Sequence, residues 1–251
     1  MSHWNPEQKR SDTAIWIARF ISFGANMNLR GVVFDFNGVL LWDTHLHEQA
    51  WQLFSERLRG KAFTHEEMDL HVHGRNNRHT LTYLSGRELT PIELNTLIEQ
   101  KEHTYHELAI AAGAEYCFSP GAVALLEQLQ QRQLPFTIAT ASPKLNVDFY
   151  YQQLDLARWF DPAKLVFDDG SRPGKPDPAL FLAAAAQINV PFTECLLIED
   201  SLSGLEAARR GGAGYIVALG PKEKHASLSS VAGVHQVIEQ LDELDVAALF
   251  G

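Results

Sequence analysis

The chain from residue 29 to 34 is apolar, rich in β-branched residues and of strand length, and it ends abruptly at Asp35. Gly38 then lets the chain turn. The apolar period changes at once. Between residue 44 and about 60, Leu46, Ala50, Leu53, Phe54 and Leu58 are expected on one helical face. Residues 64–112 read as helix in pieces, broken at Gly74, Gly86 and Pro91, and no strand signal occurs between 44 and 114. Helices and strands alternate after that. A helix at 121–133 precedes a strand at 135–140, a helix to about 154 and a short strand at 165–167. Asp177 as N-cap, with Pro178 at the first helical position, predicts a helix ending near 188. A strand at 195–198, a helix at 201–210 and a strand at 215–219 follow. The last fifteen residues are expected to be helical.

This alternation predicts a parallel α/β sheet. Such sheets carry their chemistry at the carboxyl ends of the strands. The polar residues at those ends are Asp35 and Asn37, Thr140 and Ser142, and Glu199 and Asp200, with Lys175 in a loop before a helix. The helical stretch 44–114 interrupts the pattern just after the first strand, beside that same edge, and reads as a lid.

Composition narrows the field. The 251 residues suffice for one large domain or two small ones and are 45% apolar. A net charge of −10 argues against general nucleic-acid binding. Cys117 and Cys195 lie far apart without CxxC spacing, so a reducing, cytoplasmic setting is expected. The longest apolar stretch, AIWIARFISFGA (14–25), is short for a membrane span and is interrupted by Arg19; no membrane partner is expected. Residues 1–29 form an N-terminal extension with three readings: a packed amphipathic helix, a partner-binding arm, or sequence upstream of a start at Met27.

Carboxylates converging at strand ends repel one another, and a divalent cation relieves that cost. Oxygen ligands with room for water suit Mg²⁺. Lys175 and the Thr140 hydroxyl would complete a site for a dianionic phosphoryl group, at which an Asp carboxylate can attack phosphorus.

Four motifs in order, DFNGVL (35–40), IATAS (138–142), GKPDP (174–178) and IEDSLSGLEAA (198–208), resemble those of the haloacid dehalogenase-like hydrolases. The resemblance spans about residues 30–251 and is strongest to the β-phosphoglucomutase-like phosphatase branch, echoed in Leu46, His47, Trp51 and the loop HGRNNR (73–78). It implies a Rossmann-like parallel α/β core (30–43 and 115–251) with an α-helical cap (44–114) inserted after the first strand. It implies Asp35 as nucleophile and metal ligand, the Asn37 backbone carbonyl as a second ligand, and Glu199 and Asp200 completing the Mg²⁺ site. Thr140 would hold a phosphoryl oxygen and Lys175 would pair with nucleophile and phosphate. Ser142, Asn146 and Ser201 would be supporting polar residues, Ser201 equally a helix N-cap.

Asn37 departs from that pattern. Family phosphatases have Asp there, which protonates the leaving oxygen and then deprotonates the attacking water. An amide donates a hydrogen bond but carries no proton. Loss of a general acid/base typically costs ~10²–10⁴ in rate. Two routes keep the chemistry: a substrate with a good leaving group, or proton supply by His47, whose alternative role is to line the cap hinge. The imine chemistry of one related hydrolase is discounted, because the corresponding cap position holds Asn77 and the lysines of the cap are Lys61 and Lys101.

The segment HVHGRNNRH (71–79) reads either as a solvated cationic helix start or as a specificity loop. In the second reading Gly74 allows close approach, and Arg75 or Arg78, with Asn77, grips the distal part of a small, polar, even doubly anionic metabolite. The expectation is a monomeric Mg²⁺-dependent phosphatase of a small phosphorylated metabolite, such as a sugar phosphate, acting through an aspartyl-phosphate. The alternatives are a phosphomutase of the β-phosphoglucomutase type and a low-turnover phospho-ligand binder or regulator.

Overall fold

The structure, a computed structural model, describes residues 28–251. The readings of the N-terminal segment therefore fall almost wholly outside the described residues. Six parallel strands form one sheet in the order β3-β2-β1-β4-β5-β6. They are β1 (Gly31–Phe34), β2 (Phe136–Pro143), β3 (Val166–Asp168), β4 (Cys195–Glu199), β5 (Tyr215–Leu219) and β6 (Gln236–Ile238). Both faces are covered, as a parallel sheet requires. Val32, Phe34, Leu196, Ile198 and Val217 pack into one core cluster, and Val33, Leu197, Ile216 and Ala218 into the other. The side-chain period of two thus sorts each strand between two cores.

Strand order reverses at β1, which pairs with β2 on one side and β4 on the other. The ends of these three strands open on one crevice, the position at which such sheets bind ligands. Between β1 and β2 the chain forms α1 (Thr44–Arg59), α2 (His65–His71), α3 (Asn77–Ser85) and α4 (Pro91–Ala112). These enclose a third apolar cluster that includes Trp51, Phe54, Phe63, Met68 and Leu81. The breaks have local causes. Gly60 and Gly86 end α1 and α3 in the left-handed conformation. Thr64–Glu67 and Thr90–Glu93 form capping boxes, the second with Pro91 in the first turn.

The remaining helices are α5 (Ala122–Gln131), α6 (Lys144–Leu154), α7 (Ala179–Gln187), α8 (Leu202–Gly211), α9 (His225–Ser229) and α10 (Val246–Phe250). Three expectations need correction. The last fifteen residues are not one helix: they contain most of β6, a 3₁₀ turn and the five-residue α10. Leu53 and Leu58 are exposed, and Trp51 takes an inward position instead. Pro178 stands at the cap of α7 and not inside it, although the Asp177 carboxylate still accepts the Ala179 N–H at 2.9 Å. Among the described residues no helix is long and apolar enough to cross a membrane.

Candidate active site

The parallel β1–β4 pairing places Asp35 beside Glu199 and Asp200. One carboxylate oxygen from each lies within 4.8 Å of the others. Lys175 reaches this cluster from the loop before α7. Its ammonium donates to Asp35 Oδ1 at 2.7 Å and Glu199 Oε1 at 2.6 Å, and all three groups are buried. Burial pushes the Asp35 carboxyl up to about 7 against the pull of Lys175. Burial, with the charges of Glu199 and Asp35, raises Asp200 well above the carboxylate range. Burial acts upward on Glu199 too, but the Lys175 charge and the Ser201 N–H outweigh it and hold Glu199 low. The cluster is an excess of buried negative charge built only of oxygen donors, which fits a hard divalent cation.

Glu199 differs from its neighbours. Besides Lys175 it accepts the Asp200 N–H at 2.5 Å, the Ser201 N–H at 2.7 Å and the Ser201 hydroxyl at 3.0 Å. Four donors fill a carboxylate's usual capacity. Gly204 makes this possible: a Cβ there would sit 1.6 Å from Glu199 Oε1. Ser201 also accepts the Gly204 N–H at 3.1 Å, so it is both the N-cap of α8 and a prop for Glu199. Gly38, at φ +80°, lets the turn after β1 pass Asp200, since a Cβ would lie 2.1 Å from Asp200 Oδ2.

Asn37 faces the other way. Its Oδ1 accepts from Ser142 Oγ at 2.9 Å and Thr140 Oγ1 at 3.3 Å. Its Nδ2 donates to Asp43 Oδ2 at 2.7 Å and the Tyr150 hydroxyl at 2.9 Å. Asp43 is the N-cap residue of α1, yet its carboxylate makes no capping bond. It turns inward, fully buried, and also accepts from the Tyr105 hydroxyl at 2.5 Å. Burial and the Asp43 charge raise the Tyr105 phenol well above its ordinary value, so it acts as a donor.

His47 lies 3.2 Å from Asn37 Nδ2 and 3.3 Å from Asp43 Oδ2 through Nε2. Its Nδ1 lies 3.1 Å from the Lys101 ammonium, which has no lone pair to offer. With Nδ1 accepting from Lys101, a neutral ring carries its proton on Nε2, the nitrogen that faces both Asn37 Nδ2 and Asp43 Oδ2. The ring stacks on Tyr105 at 3.8 Å.

Asp35, Asn37, His47, Thr140, Ser142, Lys175 and Asp200 all line one cavity of about 400 Å³. Gly74, Arg75 and Asn77 line its cap side. Arg78, the alternative to Arg75 in the expected grip, is exposed and does not line this cavity. Gly74 approaches the core closely: a Cβ would come within 2.1 Å of Ser201 Oγ and 2.4 Å of Ser203 Oγ. Arg75 Nη1 donates to the Lys175 carbonyl at 2.8 Å. Asn146, expected as a support, bridges to the cap through Glu102 at 2.8 Å and His106 at 2.8 Å. Lys101 lines the cavity as well, but its ammonium is paired with Glu102 at 3.0 Å.

Asp43, Lys101, Glu102, Tyr105 and Tyr150 were not singled out as site residues from sequence. Adjacent Lys101 and Glu102 on a long helix and an Asp before α1 are the local signals present, and neither by itself indicates burial.

Residues 29–212 match the family model of the haloacid dehalogenase-like hydrolases. Among solved structures, a family IA, variant 3 hydrolase from Entamoeba histolytica superposes with a TM-score of 0.78 at 30% identity, covering 88% of this chain and 98% of that one. A phosphorylated carbohydrates phosphatase of Thermotoga maritima is 29% identical over 73% of this chain and 82% of its own. A beta-phosphoglucomutase of Bacillus subtilis is 26% identical over 88% and 94%. The protein is a member of the haloacid dehalogenase-like hydrolase family.

Proposed function

We infer that the protein is a cytoplasmic, Mg²⁺-dependent phosphatase of small phosphorylated metabolites, with sugar or alditol monophosphates as the natural class. The observation that carries this is Asp35 at the end of β1, bonded to Lys175 and clustered with Asp200 on the wall of the cavity. The phosphatase of phosphorylated carbohydrates among its relatives agrees in substrate class.

Asp35 and Asp200, with the Asn37 backbone carbonyl, are the groups that would hold the ion; Glu199, filled by its four donors, fixes Lys175 and the β4–α8 turn. The ion supplies charge neutralisation to the phosphoryl group. The Asp35 carboxylate attacks phosphorus, the P–O bond to the leaving alcohol breaks, and an aspartyl-phosphate forms. Water then attacks that phosphorus and restores the carboxylate. Thr140 and Lys175 hold the phosphoryl oxygens through both steps. Asn37 cannot deliver the proton that the departing oxygen needs, and its amide protons are already committed to Asp43 and Tyr150. His47, which lines the cavity 3.2 Å from the Asn37 amide, is the imidazole we assign to supply that proton.

The same committed amide favours a second reading, a phospho-ligand binder with slow turnover. Phosphate release from a panel of metabolite monoesters, with Mg²⁺ or with chelator, separates the two when wild type is run beside Asn37→Asp. The carboxylate so created would lie against buried Asp43, and two carboxylates at hydrogen-bond distance share a proton, which is the state a general acid requires. The expected gain on ordinary monoesters is ~10²–10⁴-fold. No release by either protein, or release indifferent to chelator, sinks the phosphatase reading. Tight Mg²⁺-dependent binding without release would install the second.

A further inference from the structure

The positive charge on the cap side of the cavity is already engaged by the protein itself. Glu102, 1% exposed in α4, accepts from Asn77 Nδ2 at 2.6 Å, Asn146 Nδ2 at 2.8 Å and Lys101 Nζ at 3.0 Å. The Lys101 ammonium also contacts His47 Nδ1 at 3.1 Å and the Trp51 and Tyr105 rings, with centroids 4.7 and 5.6 Å away. Arg75 directs its guanidinium to the Lys175 carbonyl, on the core side. Nearer the mouth, Glu48 and Asp69 hold His73 between them at 2.8 and 3.0 Å. The cap lining thus sets three carboxylates against one paired lysine and one arginine turned toward the core.

We propose that this wall selects phosphate monoesters whose remaining part is uncharged and hydroxylated, and that Glu102 is the residue that excludes a second anionic group. This deepens the phosphatase reading and rests on it. A second phosphate or carboxylate would leave water for a cap wall whose lysine is taken and which carries three carboxylates, with Lys224 lining the cavity from the core, whereas hydroxyl groups can donate to carboxylate oxygens. A mutase that moves a phosphoryl group between two oxygens of one sugar passes through a bisphosphate, so the same wall disfavours that reaction.

The test compares a C6 alditol monophosphate with its bisphosphate. Wild-type kcat/KM is expected to favour the monophosphate by at least about 100-fold. Asn77→Arg, which adds a cation beside Glu102, and Glu102→Gln, which removes the charge, are each expected to narrow the ratio at least tenfold by raising turnover of the bisphosphate. If the buried pair prevents one variant from folding, the other and the wild-type ratio still decide. Equal use of both esters by wild type, or an unchanged ratio in a folded variant, overturns the proposal. Ligand-induced thermal stabilisation by the same two compounds with Mg²⁺ reads selectivity without turnover. An inactive but selective protein therefore defeats the phosphatase reading and keeps this one; an active, unselective protein does the reverse.

Discussion

The strand-end cluster and the cap-side network lie on one cavity and solve the burial of charge in opposite ways. At the strand ends, Asp35, Glu199 and Asp200 share a single lysine, and two of the three carboxyls are pushed far up. On the cap side, Glu102 has one lysine and two amides to itself. There the Lys101 charge overcomes the upward push of burial, and the carboxyl is held below its usual range. The first arrangement leaves net charge unanswered and is suited to recruiting ions and reacting groups. The second is nearly closed upon itself and is suited to shaping a surface. Asn37 stands at the junction, with its backbone in the first region and its amide in the second.

The largest effect that tests this contrast is at Asp35. Asp35→Asn is expected to reduce Mg²⁺-dependent phosphate release at least ~10⁴-fold and to abolish phosphoenzyme in acid-quenched single turnovers. Retained turnover would move the reaction centre away from β1. Next comes Lys101→Met, which strands Glu102 as a buried unpaired charge. Urea denaturation should show a loss of about 3–5 kcal/mol, much of it recovered in the double variant Lys101→Met/Glu102→Met. A loss below 1 kcal/mol would mean that the cap network is wetter and looser than its geometry. The smallest effect is in pH. Asp35 and Asp200 have raised folded values, so without metal their contribution to stability is present at low pH and is lost as pH rises through those values, about 7 for Asp35. Bound Mg²⁺ favours the ionised forms. Its increment to Tm should therefore be several degrees larger at pH 8 than at pH 5, by differential scanning fluorimetry in Mg²⁺ or chelator. Equal increments would show that these carboxyls do not titrate with the metal.

The strand-end residues were legible because a short rule, polar groups just past apolar strands, needs only local pattern. Asp35, Thr140 and Asp200 came out of it together, with Lys175 added from the loop before a helix, and all four line the cavity. The cap-side network was not legible, because several of its contacts join residues 44 to 113 positions apart. Asn37 with Tyr150, Asp43 with Tyr105, and Asn146 with Glu102 are examples. Asp43 carries no local signal of this role: it stands at the N-cap position of α1, yet its side chain makes no capping bond. Arg78 is a related case: its spacing from Arg75 put it in the right loop, but the first turn of α3 carries it to the outside. Leu53 and Leu58 show that a helical stripe drawn one residue too wide cannot be distinguished from the correct one until the partner surface is known.

The loop 73–75 touches both halves of the core machinery. Ser203 donates to the His73 carbonyl at 3.1 Å, the Gly74 backbone rests on Ser201, and Arg75 donates to the carbonyl of Lys175. The position of this loop is thereby tied to that of the Lys175 loop, so a substitution that displaces one should be felt at the other.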